Sequence, residues 1–549
     1  MDELKEQALL EKEAFEEKMS DEALLTQIES WVRESETFYS KLRPIWEQNL
    51  EYYGGIQTGV ESLRGKTSRA VENRIFMAVE TMIPIASSRL PDIEVRAGSE
   101  DEQSQMNSNE LQDILGYHME RVNIQGKAEQ FLRDMITKRY GVFKINWDKN
   151  DVDLIVRDPR KIRIPKFGRL TQDLAFIIED LEMSYNQLVE KFGNKKAEEV
   201  RKEAPKVGIT DNGEEDQVRK ATFTILEVWT NEMVAWKAGS IILDKKENPY
   251  FNFNNKEKNW FTFPSKPYVI KSLFETDESM IGDTDYIQQM ISIQDNINSR
   301  KRQIENVVAK VANPPLLIDS DTMSEEQAAN ITNEEGLIIY GKDAADGTKI
   351  RFEQPGQLPN DVFLDLEGSR SAFDNIWGIH STTRGERQGK ETLGGRQLLK
   401  AADLGRIDLV ARQLERALDE VAGWWTQLIK LFYTENKSFS IAGEDGTIFI
   451  NNFTGDKVAK NTKLRVMAGS TLPKDEITQR QEAIELWQLK AIGVKTLYKR
   501  LKMSNVQAAV ADFVETQSGA IMQPQGGQGG QPALGQGTPS APPPVQPQV

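Results

Sequence analysis

The longest unbroken pattern in the sequence runs from Arg396 to about Thr434. Along it Leu399, Ile407, Val410, Leu414, Leu418, Val421, Trp425, Leu428 and Phe432 recur at helical spacing. At 1.5 Å per residue this predicts a helix roughly 60 Å long, far beyond the usual three or four turns. A second long pattern extends from Tyr286 to about Val311. Ile287, Met290, Ile291, Ile297, Ile304, Val307, Val308 and Val311 fall at mostly three-four spacing, and Asn313-Pro314-Pro315 ends it. The chain has 549 residues, enough for three or four units' worth of folded mass around these two helices.

Shorter elements fill the rest. Residues 2 to about 29 read as a solvated acidic helix. Residues 30–53 form a second helical pattern in which Trp31, Phe38 and Trp46 mark a core-facing stripe, stopped by Gly54-Gly55. Another helix is expected over 68–89, capped by Thr67 or Ser68 and interrupted near Pro84, then an extended piece from Pro91 to Val95. Helices at 107–120 and 125–139 precede a switch to period two. Strands are expected at 142–147, 152–156, 175–182, 222–229 and 233–243, with a short helix at 184–192 and a polar loop at 195–220. The strands cluster instead of alternating with long helices, so this block is α+β. After the Tyr286 helix come a small insert (a strand at 316–318, a helix at 324–330, a strand at 336–340) and a helix from Pro359 to Trp377. Strands at 447–453 and 463–468 follow the longest helix, then two or three short helices in 473–513. From Thr516 to Val549 the chain has no charge and is dominated by Gln, Gly and Pro, a composition that reads as a disordered tail.

Composition excludes several chemistries. Cysteine is absent and histidine occurs only at His118 and His380, which removes zinc-ribbon, thiol-nucleophile and disulfide-scaffold readings. Neither histidine follows a Gly-x-Ser-x-Gly turn. No run of about 18 apolar residues could span a membrane, and the acidic, helix-forming stretch from Met1 to Ser20 argues against a secretory signal. The net charge of −16 is read either as ordinary solubility or as the surface of a protein that lets phosphate slide past.

Gly59-Val60-Glu61-Ser62-Leu63-Arg64-Gly65-Lys66-Thr67 imitates a phosphate-binding loop, but five residues separate the first Gly from Gly-Lys-Thr where four are needed, and no strand precedes it. Glu227 lies in a strand without an acidic partner at a definable spacing, which favours a structural ion pair over a catalytic carboxylate. Arg300, Lys301 and Arg302 form a basic step on the Tyr286 helix, either a solvated face or a positive ring contributed once per subunit. The His380–Thr392 loop is longer than a helix–helix connection needs. It is either a plain surface loop or one that touches a phosphate backbone without reading bases.

The order of these elements carries a resemblance. An aromatic helix ends in Tyr52-Tyr53-Gly54-Gly55, and the α+β block contains Tyr140-Gly141-Val142-Phe143-Lys144-Ile145-Asn146-Trp147-Asp148. Gln294-Asp295-Asn296-Ile297-Asn298 then sits in a helix closed by Asn313-Pro314-Pro315. A small insert, a second helix, a Gly/Thr-rich loop and a very long helix complete the series. From about residue 30 to 514 this resembles tailed-bacteriophage portal proteins, the head-to-tail connectors. The resemblance implies an α+β, mostly helical fold with wing, stem, clip and crown regions and long stem and wing helices. It implies a ring, commonly of twelve subunits, around a channel for double-stranded DNA passing non-specifically. Twelve copies of this chain would carry about −190, so acidic channel walls are expected, with basic exceptions in one loop.

Carried over by position, 1–29 is the acidic N-terminal helix, 30–280 the wing, and 281–312 the first stem helix, where Arg300, Lys301 and Arg302 are stem or interface residues. Residues 313–358 become the clip, with Asp319, Asp321, Glu325 and Glu326 meeting partners, and 359–378 the second stem helix. Residues 379–395 become the tunnel loop, in which His380, Thr382, Thr383, Arg384, Arg387 and Lys390 line the DNA channel. The long wing helix takes 396–435, wing strands 436–470, short crown helices 471–515, and the tail 516–549. Implied partners are the terminase large subunit, head-completion, neck or tail adaptor proteins, and major capsid and scaffolding proteins. The expected place is the portal vertex of the virion capsid, and the host cytoplasm during assembly. No enzyme activity, cofactor, catalytic residue, metal site or membrane contact is expected. The alternative reading is a non-portal structural adaptor of a large assembly.

Overall fold

The computed structural model describes residues 20–57, 68–88, 93–203, 222–312, 314, 316–318, 321–322, 324–329, 349–352, 358–380, 393–442, 448–466, 476–501, 509–510 and 513. Its first element is one helix, α1 (Asp21–Tyr53), whose N-cap Ser20 accepts a hydrogen bond from Ala23 N–H. Gly55, at φ +81°, follows its end. Leu24, Ile28, Tyr39, Leu42 and Trp46 are all buried; the expected division at 29/30 falls inside a continuous helix, whose first turns are solvated except on the face of Leu24 and Ile28. The buried stripe passes through Tyr39, while Trp31 and Phe38 are half-buried.

α2 (Arg74–Ala86) begins six residues later than the expected 68 and is capped by Asn73, which accepts from Phe76 N–H at 3.0 Å. β1 (Ile93–Arg96), α3 (Glu102–Arg121) and α4 (Ile124–Thr137) follow. Next come β2 (Tyr140–Asp148), β3 (Asp151–Arg157), β4 (Ile162–Arg163), β5 (Ile177–Ser184), α5 (Tyr185–Glu203), β6 (Thr222–Trp229), β7 (Met233–Ala238), β8 (Ile241–Glu247) and β9 (Tyr268–Ser272). α5 breaks at Gly193 (φ +83°) but resumes, because Ala197 and Val200 are buried; residues 195–203 are therefore helix, not loop. The strand expected over 233–243 is two strands, turned at Gly239 (φ +55°).

These strands make two antiparallel sheets, ordered β3-β2-β9 and β4-β5-β6-β7-β8. Alternation gives the larger sheet two apolar faces. Phe176, Ile178, Val228 and Ala235 meet Leu24 and Ile28 of α1 on one side. Ile177, Phe223, Ile225, Trp229 and Val234 face Tyr140, Val142 and Tyr268 of the smaller sheet, and Tyr39 and Trp46, on the other.

The two long helices follow. α6 (Tyr286–Ala312) starts five residues later than the expected stem start at 281, because Asp285 caps it by accepting from Gln288 N–H at 2.8 Å. The insert holds β10 (Leu316–Ile318), α7 (Glu325–Ala329) and β11 (Ile350–Phe352), with β10 and β11 paired; the strand expected at 336–340 lies outside the described residues. α8 (Asn360–Trp377) runs antiparallel to α6, as Asn296–Ser369 and Arg300–Asp365 contacts require. α9 (Leu393–Phe432) is 40 residues long and begins before the expected Arg396. From Ile407 to Leu418 it keeps one exposed stripe, through Leu409, Arg412 and Arg416, and from Val421 to Ile429 it is buried all round. Beyond the expected seam, Ala411, Ala417, Ala422, Trp424 and Ile429 are also inside. A large apolar side chain buried this way stabilises by roughly 1.5–3 kcal/mol.

β12 (Lys437–Ala442) pairs with β13 (Ile448–Phe453), and β14 (Lys463–Val466) returns to pair with β1. The chain divides into two units: Met1–Ile441 with Ile450–Pro473, and Ala442–Phe449 with Lys474–Val549. The second contains α10 (Glu476–Gln488) and α11 (Val494–Arg500), which pack on each other and bury Ala483 and Leu497. Helices account for 56% of the described residues, so the fold is α+β and mostly helical. The Gln/Gly/Pro tail at 516–549 lies outside the described residues.

Candidate functional site

The antiparallel pair α6–α8 is held by a short strap, residues 68–74. Along one face of α6 stand Gln294, Asn298, Arg302 and Asn306, four residues apart. Each bonds the strap backbone two residues further back than the last. Arg74 N–H donates to Gln294 Oε1 (3.1 Å), Glu72 N–H to Asn298 Oδ1 (2.9 Å), Arg302 Nε to Ala70 O (3.1 Å), and Ser68 N–H to Asn306 Oδ1 (2.8 Å). The registers match because four helical residues rise about 6 Å and two extended residues about 6.6 Å.

The strap's side chains reach the other helix. Glu72 accepts from Arg370 Nε at 2.9 Å, and Arg74 pairs with Asp374 at 2.6 Å. Burial pushes the Glu72 carboxyl up, but Arg370, Lys301 and Arg74 outweigh it and hold it below the usual carboxylate range. The end of α1 joins in. Tyr52 Oη donates to Asp295 Oδ1 at 2.7 Å, and Asn298 Nδ2 donates to Gln57 Oε1 at 2.6 Å. Thus Tyr52-Tyr53-Gly54-Gly55 and Gln294–Asn298, far apart in sequence, face each other. Buried Gln294 and Asn298 serve here as backbone partners.

Removing one of them leaves strap amides without acceptors, at about 1–3 kcal/mol per orphaned group. Asn298→Ala is therefore expected to lower stability by about that amount and to collapse hydrogen-exchange protection at the Glu72 amide, with a smaller effect at Arg74. Unchanged protection at Glu72 would remove the strap as a specific contact.

The basic step is committed to this framework. Arg300 pairs with Asp365 at 2.6 Å, Lys301 lies 3.8 Å from Glu72, and Arg302 also donates to Gln57 O at 2.8 Å. Its charges tie α6 to α8 and to the chain after α1.

His380 stands at the other end of α8. Gly378, at φ +80°, ends the helix and donates to Asp374 O at 2.7 Å; a Cβ there would lie 2.2 Å from Arg406 Cδ. Arg406 NH1 donates to the Asn375 and Ile376 carbonyls at 2.8 and 2.6 Å. His380 Nδ1 meets Asp403 Oδ1 of α9 at 2.6 Å, its backbone N–H donates to Asp403 Oδ2 at 3.1 Å, and Nε2 meets Asn375 Oδ1 at 2.9 Å. It fixes the base of the loop by joining α8 to α9. Thr382, Thr383, Arg384, Arg387 and Lys390 lie outside the described residues, as do Asp319 and the 59–67 segment with its Gly-Lys-Thr. Asp321, Glu325 and Glu326 are exposed, the two glutamates in the first turn of α7.

Glu227 is buried between the two sheets. Its Oε1 lies 2.5 Å from Lys144 Nζ and accepts from Trp229 Nε1 at 2.7 Å, and its Oε2 accepts from Trp236 Nε1 at 2.9 Å. Every polar position of the carboxylate is occupied by a structural partner. Among the described residues no group of three or more His, Cys, Asp or Glu side chains could hold a metal ion, and no helix is long and apolar enough to cross a membrane.

Residues 263–517, the stretch from just before β9 through the α6–α8 pair and α9 into the second unit, match the model of the phage P22-like portal protein family. No curated protein matches the chain.

Proposed function

We infer that this chain, which the family match marks as a phage portal protein, assembles into a ring, commonly of twelve copies, at one vertex of the capsid. In that ring DNA passes through the central channel, inward during packaging and outward at ejection. α6 and α8 form the stem, and the insert carrying β10, α7 and β11 forms the clip. The clip's acidic face (Asp321, Glu325, Glu326, with Asp319) meets the terminase large subunit first and head-completion, neck or tail adaptor proteins later. The loop between Gly378 and α9, anchored at its base by His380, carries Thr382, Thr383, Arg384, Arg387 and Lys390 toward the channel. Packing and scaffold contacts on the capsid side, and residence in the host cytoplasm during assembly, belong to the same reading. The function is mechanical, with no catalytic residue and no cofactor.

One observation supports this most. Within the matched segment the fold runs helix, small β pair, antiparallel helix, then a 40-residue helix. The stem pair is also unfinished as an isolated surface. Val308 and Val311 at the end of α6, and Phe363 and Leu364 at the start of α8, are 59%, 56%, 45% and 69% exposed, and a neighbouring copy would cover them. Arg300–Asp365 and the strap keep the two helices at a fixed spacing for that contact.

Electron microscopy of the purified full-length chain tests the proposal. Rings with a central hole, and a subunit count from top views, are expected; monomers or open filaments at micromolar concentration would overturn it. Leu364→Glu with Val308→Glu is expected to shift the protein to monomers while leaving its circular dichroism unchanged.

A further inference from the structure

A cleft of about 870 Å³ opens between the first half of α1 and one end of the five-stranded sheet. Its apolar floor is Trp31, Leu174, Met233 and Phe253. Trp31 is half-exposed and stacks on Phe176, with ring centroids 5.2 Å apart, so it is held rigidly at the opening. Asp173, Glu232 and Glu247 also line it, all exposed, and no Lys or Arg among the described residues lies within ion-pair distance of any of them. Lys245, the one cation in the lining, is paired with Asp21 at 2.9 Å. At the back, the ammonium of buried Lys266 donates to Thr171 O (3.2 Å) and Asn231 Oδ1 (2.5 Å), which fixes the two loops bearing Asp173 and Glu232, and it attracts Asp173 at longer range, leaving Glu232 and Glu247 as the carboxylates without a cation.

Aromatic rings with an excess of exposed carboxylates around them favour one kind of occupant. A Lys or Arg side chain can lay its alkyl stem on apolar surface, bring its charge to an indole face and complete an ion pair with a carboxylate. We propose that this cleft is a docking site for a basic, apolar-flanked peptide segment of a partner protein. An acidic segment is repelled by the three carboxylates, and a purely apolar one would leave them unanswered. The inference does not rest on the ring reading, because every residue of the cleft lies in one unit of a single chain.

The test is a random nine-residue peptide library selected on the full-length protein, with Trp31→Ala as the counter-selecting variant. Enrichment of sequences carrying Lys or Arg beside an aliphatic or aromatic residue is expected. The best peptide should lose about tenfold affinity to Asp173→Asn/Glu232→Gln/Glu247→Gln at unchanged thermal midpoint, and weaken with added salt. Enrichment of acidic or uncharged sequences, equal binding to the triple variant, or no enrichment over Trp31→Ala would each overturn the proposal. Thermal midpoints separate loss of the site from loss of the fold: the carboxylate variant is expected to match the parent, and Trp31→Ala, which gives up packing on Phe176, to melt somewhat lower while still unfolding cooperatively.

Discussion

Lys144→Met is expected to cost about 3–5 kcal/mol of stability, the range for removing one partner from a buried ionic network. Lys144 sits between the two sheets, its Nζ 2.5 Å from both Glu179 Oε2 and Glu227 Oε1. Those glutamates are directly opposite each other on β5 and β6, an arrangement that repels unless a cation stands between them. Burial pushes the Glu227 carboxyl up, but Lys144, the Trp229 indole and Lys191 outweigh it and hold it at about 2. Without Lys144, Glu179 keeps Arg157 at 2.7 Å and the Tyr268 hydroxyl at 2.8 Å, while Glu227 keeps two indole donors and Lys191 at 3.8 Å. Two buried negative charges then face each other with too little compensation. Urea unfolding of the parent and variant measures the loss. The double variant Lys144→Met/Glu227→Gln removes the stranded charge and is expected to lose less than Lys144→Met alone. A single variant within about 1 kcal/mol of the parent, or a double variant worse than the single, would show that the web contributes little.

Much of this web was readable by parity. In Phe223-Thr224-Ile225-Leu226-Glu227-Val228-Trp229 the odd positions share one face, so Glu227 had to lie among Phe223, Ile225 and Trp229. Its partner was not readable. Lys144 comes from another sheet, and β9, which flanks β2 and carries Tyr268, was not recognised as a strand because five residues between loops give too little period to detect. The long helices were legible because their apolar repeats persist for many turns. The strap was not: its bonds come from backbone groups of residues 68–74, which leave no pattern in side-chain type. The one available trace lay on α6, where Gln294, Asn298, Arg302 and Asn306 repeat every four residues beside the apolar stripe of an amphipathic helix. Arg300–Arg302 read as a free basic step because charge is visible in sequence, whereas Asp365 and Glu72, which answer it, stand 65 and 229 positions away.

Acid is expected to act on this fold through His118. His118 is fully buried against Trp425, Tyr433 and Phe439, where α3, α9 and β12 converge. Arg121 Nε donates to its Nδ1 at 3.4 Å, Nε2 lies 3.0 Å from Tyr433 Oη, and Tyr433 Oη in turn donates to Asp151 Oδ1 at 2.5 Å. This chain of bonds is complete with a neutral ring that carries its proton on Nε2. Burial, with Arg121 and Lys437 adding to it against the pull of Asp151, depresses the imidazole pKa from 6.5 to about 4. The folded chain therefore refuses a proton that the unfolded chain accepts once pH falls below 6.5. The stability held by neutral His118 is intact above that value and declines as pH falls toward 4, by about 1.4 kcal/mol per unit and roughly 3 kcal/mol in all. Protonation would also put a cation at Nδ1 facing the Arg121 guanidinium, opening the junction between α3 and α9. Urea unfolding of the parent and of His118→Gln at several pH values between 7 and 4 isolates the effect, since the carboxylates titrate in both. The parent should lose about 3 kcal/mol more than the variant over that range, and its His118 ring resonance should titrate near 4. Equal pH slopes, or a ring midpoint near 6.5, would mean that the junction admits water and does not couple folding to this proton.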